Sequence, residues 1–468
     1  MNLASSALYS DSIRAESELV DDKAQGRPYL LEVSLPSKRT SQVPQGRIER
    51  LAHIGAAATT VALSNVSLKT RRLFGGGENP GLMTVAGARG LARRLSRLRG
   101  AAMKLGQMMS MGSDQVIPPE IAEALSVLRA AADAMPRGQV TEVLVKNFGL
   151  DWEKHFAAFD FEPMASASIG QVHRATLPDG AEVALKIQYP GVRASIDSDV
   201  DNLASLLRLG RFLPGEVDFE DLIQETKRQL RHEADYRHEA ENTRRYRAQF
   251  AGYPGIAIPR VFDALCTDEI LTTAYLRGAP LLESAQQLAS DKRDALAEKL
   301  LHVTCSELFV HRFMQTDPNP GNFLYRESDG ALVLLDFGAC DAIDDRLASN
   351  YAGMTRALLN GDRTALDRAM EAIGFFAPDD DRQLREDLLD FVELSAEPIR
   401  CHGRYDFGNT DLPERARVMG LKLAKSHRLV RTPPPETLFI QRKIGGAFLL
   451  VNRLSARVAV RSLLDKML

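Results

Sequence analysis

Three side chains suited to phosphate chemistry lie within a short stretch of this chain. Asp317 and Asn322 stand five residues apart in the Pro-rich run Gln315-Thr-Asp-Pro-Asn-Pro-Gly-Asn322, and Asp336 ends the apolar run Leu332-Val-Leu-Leu-Asp-Phe-Gly338. Asp317 is the natural candidate for a catalytic base, accepting a proton or orienting an attacking hydroxyl or water. Asn322 and Asp336 offer oxygen donors suited to a hard cation such as Mg²⁺ shared with phosphates. Asn319 is placed to orient the loop. The competing reading is turn chemistry, because Asp-Pro and Pro-Gly-Asn are ordinary turn formers. Asp-Phe-Gly alone carries little information; the spacing of the whole set, with a short strand pair inside it, carries the signal.

That spacing is the layout protein-kinase folds use to hold a base and metal ligands against a nucleotide. Lys186, in Val183-Ala-Leu-Lys-Ile187, is a lysine inside an apolar strand. A buried ammonium is costly unless paired, so it asks for a carboxylate or phosphate; the bland reading is an edge lysine reaching water. The segment from Glu225 to Arg245 supplies Glu233, Asp235 and Glu239 as partners. On one helix Asp235 and Glu239 share a face, and Glu233 points roughly 120° away from Glu239. Surface pairing with nearby arginines and histidines is the alternative for any one of them. The Gly-x-Gly-x-x-Gly phosphate cover is absent, and Ala165-Ser-Ala-Ser-Ile-Gly-Gln-Val172 fills its position. Ala165, Ser166, Ala167 and Ser168 are small enough for backbone to approach phosphates, yet stiffer than glycine. As a bare pattern the stretch equally fits a small-residue turn.

The elements around these residues predict their placement. Short strands are expected at Ala165 to Thr176 and Ala181 to Tyr189, joined by the turn Leu-Pro-Asp-Gly. Helices follow from Ala194 to Phe250, a further pair of short strands surrounds Pro259 to Tyr275, and helices return at Ser290 to Arg312 and after Asp344. The predicted fold class is α+β, protein-kinase-like, two-lobed and helix-rich. Its divisions are a flexible leader at 1–43, an N-terminal helical extension at 44–150, a small lobe at 151–280 and a large helical lobe at 281–468. The 468 residues are 44% hydrophobic and 26% charged with a net charge of -3, which argues against a nucleic-acid binder. Cys266, Cys305, Cys340 and Cys401 are isolated and read as reduced thiols. No secretory signal or membrane-spanning run is evident, and the Ala- and Thr-rich stretch from Leu51 to Val66 is the nearest candidate. Thr84 to Met111 sets Arg89, Arg93, Arg94, Arg97, Arg99 and Lys104 among Leu, Ala and Met. That basic amphipathic segment reads as a solvated helix face or as a contact for anionic lipid or an acidic partner. Lys104 and Gln107, at i,i+3 among methionines, read from first principles as a solvated helix edge.

Taken together, the motifs resemble those of the UbiB-type atypical kinases, the AarF-domain kinase-like proteins. Lys104-Leu-Gly-Gln107 resembles their KxGQ motif, Ala165-Ser-Ala-Ser168 their Ala-rich loop and Glu233-Ala-Asp235 their ExD motif. Lys186, Asp317, Asn322 and Asp336 match their lysine, catalytic-loop and DFG positions. Ile187-Gln-Tyr-Pro-Gly-Val192 and Arg428-Leu-Val-x-x-Pro-Pro-Pro-Glu436 point to the branch that supports coenzyme Q biosynthesis. The likeness runs from about residue 43 to 460. It implies a KxGQ extension folded over the site where a protein substrate would dock, with Lys104 and Gln107 meeting the ExD carboxylates Glu233 and Asp235. It implies ATP and Mg²⁺ as cofactors and an ATPase, or a kinase of small or lipidic substrates, without protein kinase activity in trans. Glu239 is then the choice to pair with Lys186, with Glu233 as the other candidate, and Thr273 and Tyr275 flank Ala274 at the adenine-contacting connector. Ala274 stands where this branch usually has Glu, and Ala-Ser-Ala-Ser replaces the commoner Ala-Ala-Ala-Ser. Pro320-Gly-Asn322 follows the wider family, which suits a bacterial relative.

The implied partners are ATP, an anionic membrane surface or quinone-like lipid, and the ubiquinone biosynthesis enzymes, with a homodimer allowed and no nucleic acid. The implied location is cytoplasmic, peripheral at the inner membrane of a bacterium. Two other readings compete: a catalytically silent, nucleotide-gated pseudokinase that binds a lipid or complex, and a conventional protein kinase.

Overall fold

Alternation along two strands decides which face of the small lobe is closed and which is open to a ligand. The computed structural model describes residues 134–209, 219–377, 380–427 and 434–468. The expected leader, the basic segment 84–111 with Lys104 and Gln107, and residues 428–433 lie outside the described residues. Helix α1 (Arg137–Phe148) is followed by strands β1 (Ala158–Phe159), β2 (Ala165–Ser166), β3 (Gly170–Thr176) and β4 (Glu182–Gln188). Helices α2 (Val192–Leu209), α3 (Phe219–Glu233) and α4 (Tyr236–Gln249) come next, then β5 (Ile256–Ala257) and β6 (Ile270–Ala274). An antiparallel sheet runs β1-β3-β4-β6, with β2 paired to β3.

Successive strand residues point to opposite faces. His173, Ala175, Val183, Leu185 and Ile187 therefore close onto a core that α1 completes with Val140, Val143 and Leu144. The opposite face carries Val172, Ala184, Lys186 and Thr273, set side by side by the register Val172↔Lys186 and Ala184↔Thr273. All four are only half-buried. His173 lies inside the core, its Nδ1 against the Asp160 carbonyl and its Nε2 against the Gln171 amide. Burial holds its pKa below the ordinary histidine value although the Asp160 carbonyl opposes this.

The large lobe contributes β7 (Ala279–Pro280), α5 (Leu281–Ala285), α6 (Ser290–Phe309), β8 (Phe313–Gln315), β9 (Phe323–Arg326), β10 (Ala331–Leu334) and β11 (Cys340–Ala342). Helices α7 (Asp345–Asn360), α8 (Arg363–Ile373), α9 (Arg382–Ser395) and α10 (Glu397–Arg400) follow. The chain finishes with β12 (Tyr405–Asp406), α11 (Leu412–His427), α12 (Pro435–Arg453), β13 (Arg457–Val458) and α13 (Val460–Leu464). One sheet runs β5-β10-β9-β7, and β8 pairs with β11. This pairing explains how distant residues share a site. The Asp317–Asn322 loop joins β8 to β9, and Asp336 lies between β10 and β11, so the antiparallel pairs β8–β11 and β9–β10 set the two loops side by side. The Thr316 N–H donates to the Ala339 carbonyl at 2.8 Å, and the Leu335 N–H to the Asn322 carbonyl at 3.1 Å. The result is the two-lobed, protein-kinase-like α+β fold.

Two local expectations are corrected. The stretch from Ala165 to Thr176 is two strands, because the chain folds back at Ala167, whose N–H donates to the Gly170 carbonyl at 2.9 Å. The short strands expected around Pro259 to Tyr275 are present: β5 joins the large-lobe sheet parallel to β10, β6 joins β4, and Val261 bridges Thr273 of β6 antiparallel. The segment from Glu225 to Arg245 is two helices, with α3 ending at Glu233 and Asp235 capping α4 by accepting from the His238 N–H at 3.1 Å. Gln188 at the end of β4 fixes this break by donating to the Ala234 carbonyl at 2.8 Å.

The turn onto β3 leaves no room at Gly170. A Cβ there would stand 2.3 Å from the Ile187 carbonyl oxygen and 2.9 Å from the Tyr236 hydroxyl. Gly170→Ala is expected to cost about 1–3 kcal/mol through forced repacking. Chemical denaturation measures this, and a stability equal to wild type would contradict the close approach.

Candidate active site

The ammonium of Lys186 joins the two lobes. It rises from β4 on the half-open face and donates to both Glu239 carboxylate oxygens at 2.9 Å and to Asp336 Oδ2 at 3.1 Å. Its side chain is 14% exposed and that of Glu239 2%. Tyr236, in the first turn of α4, sets its ring 5.3 Å from the same nitrogen. Burial works against the charge on Lys186, but the carboxylates of Asp336 and Glu239 outweigh it and hold the ammonium well above its ordinary pKa. Burial pushes the Glu239 carboxyl up to about 7, against the pull of Lys186.

The break between α3 and α4 gives the three acidic candidates separate partners. Glu239 meets Lys186; Asp235 caps α4; Glu233, at the end of α3, accepts from the Ser168 hydroxyl. Glu233 thereby ties the Ala-rich turn to the helix pair. Of that turn, Ala165 and Ser166 are exposed, and Ala167 and Ser168 are half-buried. Thr273 lies on the Lys186 face opposite Ala184, and the Tyr275 ring lies beneath the Arg174 guanidinium at 4.7 Å.

Helix α4 also grips the Asp336 loop. Asn242 Nδ2 donates to the Phe337 carbonyl at 3.0 Å, and the Phe337 and Tyr246 rings pack with centroids 4.7 Å apart. Asp336 Oδ1 accepts from the Gly338 N–H at 3.0 Å. A side chain at Gly338 would press on Glu239, because its Cβ would lie 3.3 Å from Glu239 Oε2, while Asp336 Oδ1 at 3.5 Å would be at ordinary contact distance.

In the neighbouring loop the carbonyl of Asp317 accepts from Gln315 Nε2 at 2.6 Å and from Asn322 Nδ2 at 3.3 Å. Asn319 Oδ1 accepts from the Gly321 N–H at 3.0 Å and caps the short turn Pro320–Asn322. With its amide nitrogen turned to Asp317, Asn322 leaves its amide oxygen outside this hydrogen bond. Among the described residues, no group of three or more His, Cys, Asp or Glu converges as a metal cluster. Magnesium suits a sparser set, since it keeps waters and takes phosphate oxygens beside one or two protein ligands. The donors of Asp336 and Asn322 fit that chemistry.

Sequence reasoning missed Asn242, Arg442 and Lys443. Asn242 had a signal, since it lies at i+3 from Glu239 and so on the same helical face. Arg442 and Lys443 had none. Arg442 Nη2 donates to the Thr316 carbonyl at 2.9 Å, and Lys443 Nζ donates to Gln315 Oε1 at 2.9 Å, both from more than a hundred residues away.

Lys186→Met leaves Glu239 buried without its cation, which costs about 3–5 kcal/mol for a broken buried pair. Adding Glu239→Gln is expected to recover part of that loss. Urea unfolding of both variants measures the difference, and equal stabilities for the single and double variants would contradict the coupling.

Residues 127–370 match the ABC1 atypical kinase-like domain, half of the chain. The rat (Rattus norvegicus) atypical kinase COQ8B, mitochondrial, is 37% identical over 461 residues, covering 97% of this chain and 86% of the relative. The Saccharomyces cerevisiae atypical kinase COQ8, mitochondrial, is 33% identical over 428 residues, covering 90% and 84%. Among solved structures, the Rv3197–erythromycin complex from Mycobacterium tuberculosis aligns with a TM-score of 0.57 and 26% identity, over 82% of this chain and 96% of that one. With its lysine, DFG-like and Ala-rich elements joined as described, the chain belongs to the ABC1 atypical kinase-like family, the UbiB family, in the branch associated with coenzyme Q biosynthesis.

Proposed function

We propose that this protein binds Mg-ATP between its lobes and transfers the terminal phosphoryl group to water or to a small or lipidic acceptor. The supporting observation is the ammonium of Lys186, held at once by Glu239 of the small lobe and Asp336 of the large one. A cation fixed in that position is suited to phosphate oxygens, and the Val172, Ala184 and Thr273 face beside it suits the flat body of a nucleotide. The exposed Ala165–Ser166 edge of the Ala-rich turn stands where backbone N–H groups could meet phosphates, and Tyr275 borders the connector. In this reading Asp336 and Asn322 hold magnesium, which would supply charge neutralisation on the phosphates. Asp317 takes the acceptor's proton or orients the attacking water.

The family supports a physiological role as well. Activity would support ubiquinone biosynthesis at a membrane, beside the biosynthetic enzymes and without phosphorylation of proteins in trans. Lys104 and Gln107 would cover the site together with Glu233 and Asp235. Among the described residues no helix is long and apolar enough to cross a membrane. Association is proposed to be peripheral, at the cytoplasmic face of a bacterial inner membrane, through anionic or quinone-like lipid and the basic segment at 84–111. A homodimer is compatible with this reading.

Asp336→Asn is expected to weaken Mg-ATP binding at least tenfold and to remove its dependence on the cation, measured by calorimetry with and without magnesium; unchanged affinity would remove the metal assignment. Asp317→Asn is expected to keep binding and lose at least tenfold in turnover, in line with general-base contributions of about 10²–10⁴. Equal hydrolysis by wild type and Asp317→Asn would favour a nucleotide-gated binding module. Flotation with anionic liposomes is expected to weaken with salt, and binding indifferent to charge would count against the basic segment as the contact.

A further inference from the structure

Helix α12 (Pro435–Arg453) lies beyond the family-matched residues 127–370, yet it touches the Asp317 loop at three successive points. Arg442 donates to the Thr316 carbonyl at 2.9 Å. One residue on, the Lys443 ammonium donates to Gln315 Oε1 at 2.9 Å, and Gln315 Nε2 donates to the Asp317 carbonyl at 2.6 Å. One helical turn later Gly446 faces Pro318 so closely that a Cβ would stand 2.5 Å from the proline Cβ. The helix thus holds the loop at the residue before Asp317, at the residue after it and, through Gln315, at the carbonyl of Asp317 itself.

Lys443 is anchored in turn. Its side chain is 2% exposed and that of Glu307, on α6, is 0% exposed; the two are 3.2 Å apart at the nearest carboxylate oxygen. Tyr246, on α4, donates its hydroxyl to Glu307 Oε1 at 3.0 Å. A buried ion pair contributes little net stability against a well-packed apolar pair, and its best-supported use is to fix one arrangement. Here the arrangement fixed is that of Gln315, whose amide cannot rotate without losing both the ammonium and the Asp317 carbonyl.

We propose that α12, through Lys443, Arg442 and Gly446, is the positioning platform of the Asp317 loop, with the Lys443–Glu307 pair setting the amide of Gln315 that holds Asp317. The inference rests on the reading of Asp317 as the reacting base. Lys443, Arg442 and Gly446 are positioning residues that act through the loop, whereas Lys186 is held by Glu239 and Asp336. Their loss should therefore fall on turnover and spare nucleotide affinity, a division that general destabilisation would not produce.

The decisive variant replaces both buried charges, Lys443→Met with Glu307→Gln, so that neither charge is left alone in the core. Arg442→Gln and Gly446→Ala probe the other two contacts without touching the pair. Three quantities are read on the full chain: the Mg-ATP dissociation constant, the rate of ATP hydrolysis, and backbone hydrogen exchange over residues 315–322. The expected result is faster exchange across that loop in all three variants, at least tenfold slower hydrolysis and less than a threefold change in the dissociation constant. Restoring the charges as Lys443→Arg in the Glu307 background should recover most of the rate. Loop exchange and hydrolysis equal to wild type in the double variant would overturn the platform. So would affinity and hydrolysis lost in equal measure, because that outcome marks a structural role alone. Asp317→Asn separates the two levels. If that variant hydrolyses ATP as well as wild type while the loop still exchanges faster in the α12 variants, the base assignment fails and the platform stands. If it is inactive while the α12 variants match wild type in rate and exchange, the platform fails alone.

Discussion

A lysine ammonium that is almost withdrawn from water is the constraint on which the site depends. Lys186 cannot remain charged there without close carboxylates, since an unpaired buried ion costs several kcal/mol. The chain provides two, from different lobes: Glu239 on α4 and Asp336 after β10. Satisfying one charge thus fixes the distance between the small-lobe sheet and the large-lobe loops. Gly338 lies against Glu239, and a Cβ there would come within 3.3 Å of its Oε2.

Helix α4 carries this constraint across the molecule. Its first turn sets Tyr236 beside Lys186 and beneath Gly170 and also presents Glu239, and Asn242 holds the Phe337 carbonyl. Farther along, Tyr246 packs on Phe337 and donates to Glu307, the buried partner of Lys443. One short helix therefore touches the lysine strand, the Asp336 loop and the ion pair beneath the Asp317 loop. The two site loops are stitched independently by the β8–β11 and β9–β10 pairings, which set the Asp317 loop beside the Asp336 loop.

What could be read from the sequence was chemistry expressed over short spacing. Asp317, Asn322 and Asp336 announce themselves because their loops are adjacent in the chain, and Lys186 because a cation interrupts an apolar alternation. Elements whose boundaries are set by tertiary contacts were misread. Helical periodicity runs through Glu233 and Asp235 without interruption, and the break there is imposed by Gln188 from another element and by the capping carboxylate of Asp235. The strand expected from Ala165 to Thr176 folds on itself because Gly170 meets the backbone of β4, a contact that no local pattern announces. Glu307 and Lys443 are 136 residues apart and look in the sequence like two ordinary helix-surface charges. Only the packed fold shows them to be buried and joined.

In the proposed function Lys186 and Asp336 act on nucleotide as one coupled unit. A double-mutant cycle on the Mg-ATP dissociation constant, with Lys186→Met, Asp336→Asn and the two combined, tests this most directly. Residues in one ion-pair network couple by about 0.5–3 kcal/mol, so the combined variant should bind measurably tighter than the sum of the single losses predicts. Strict additivity of the two losses would contradict the claim that a single shared ammonium organises the site.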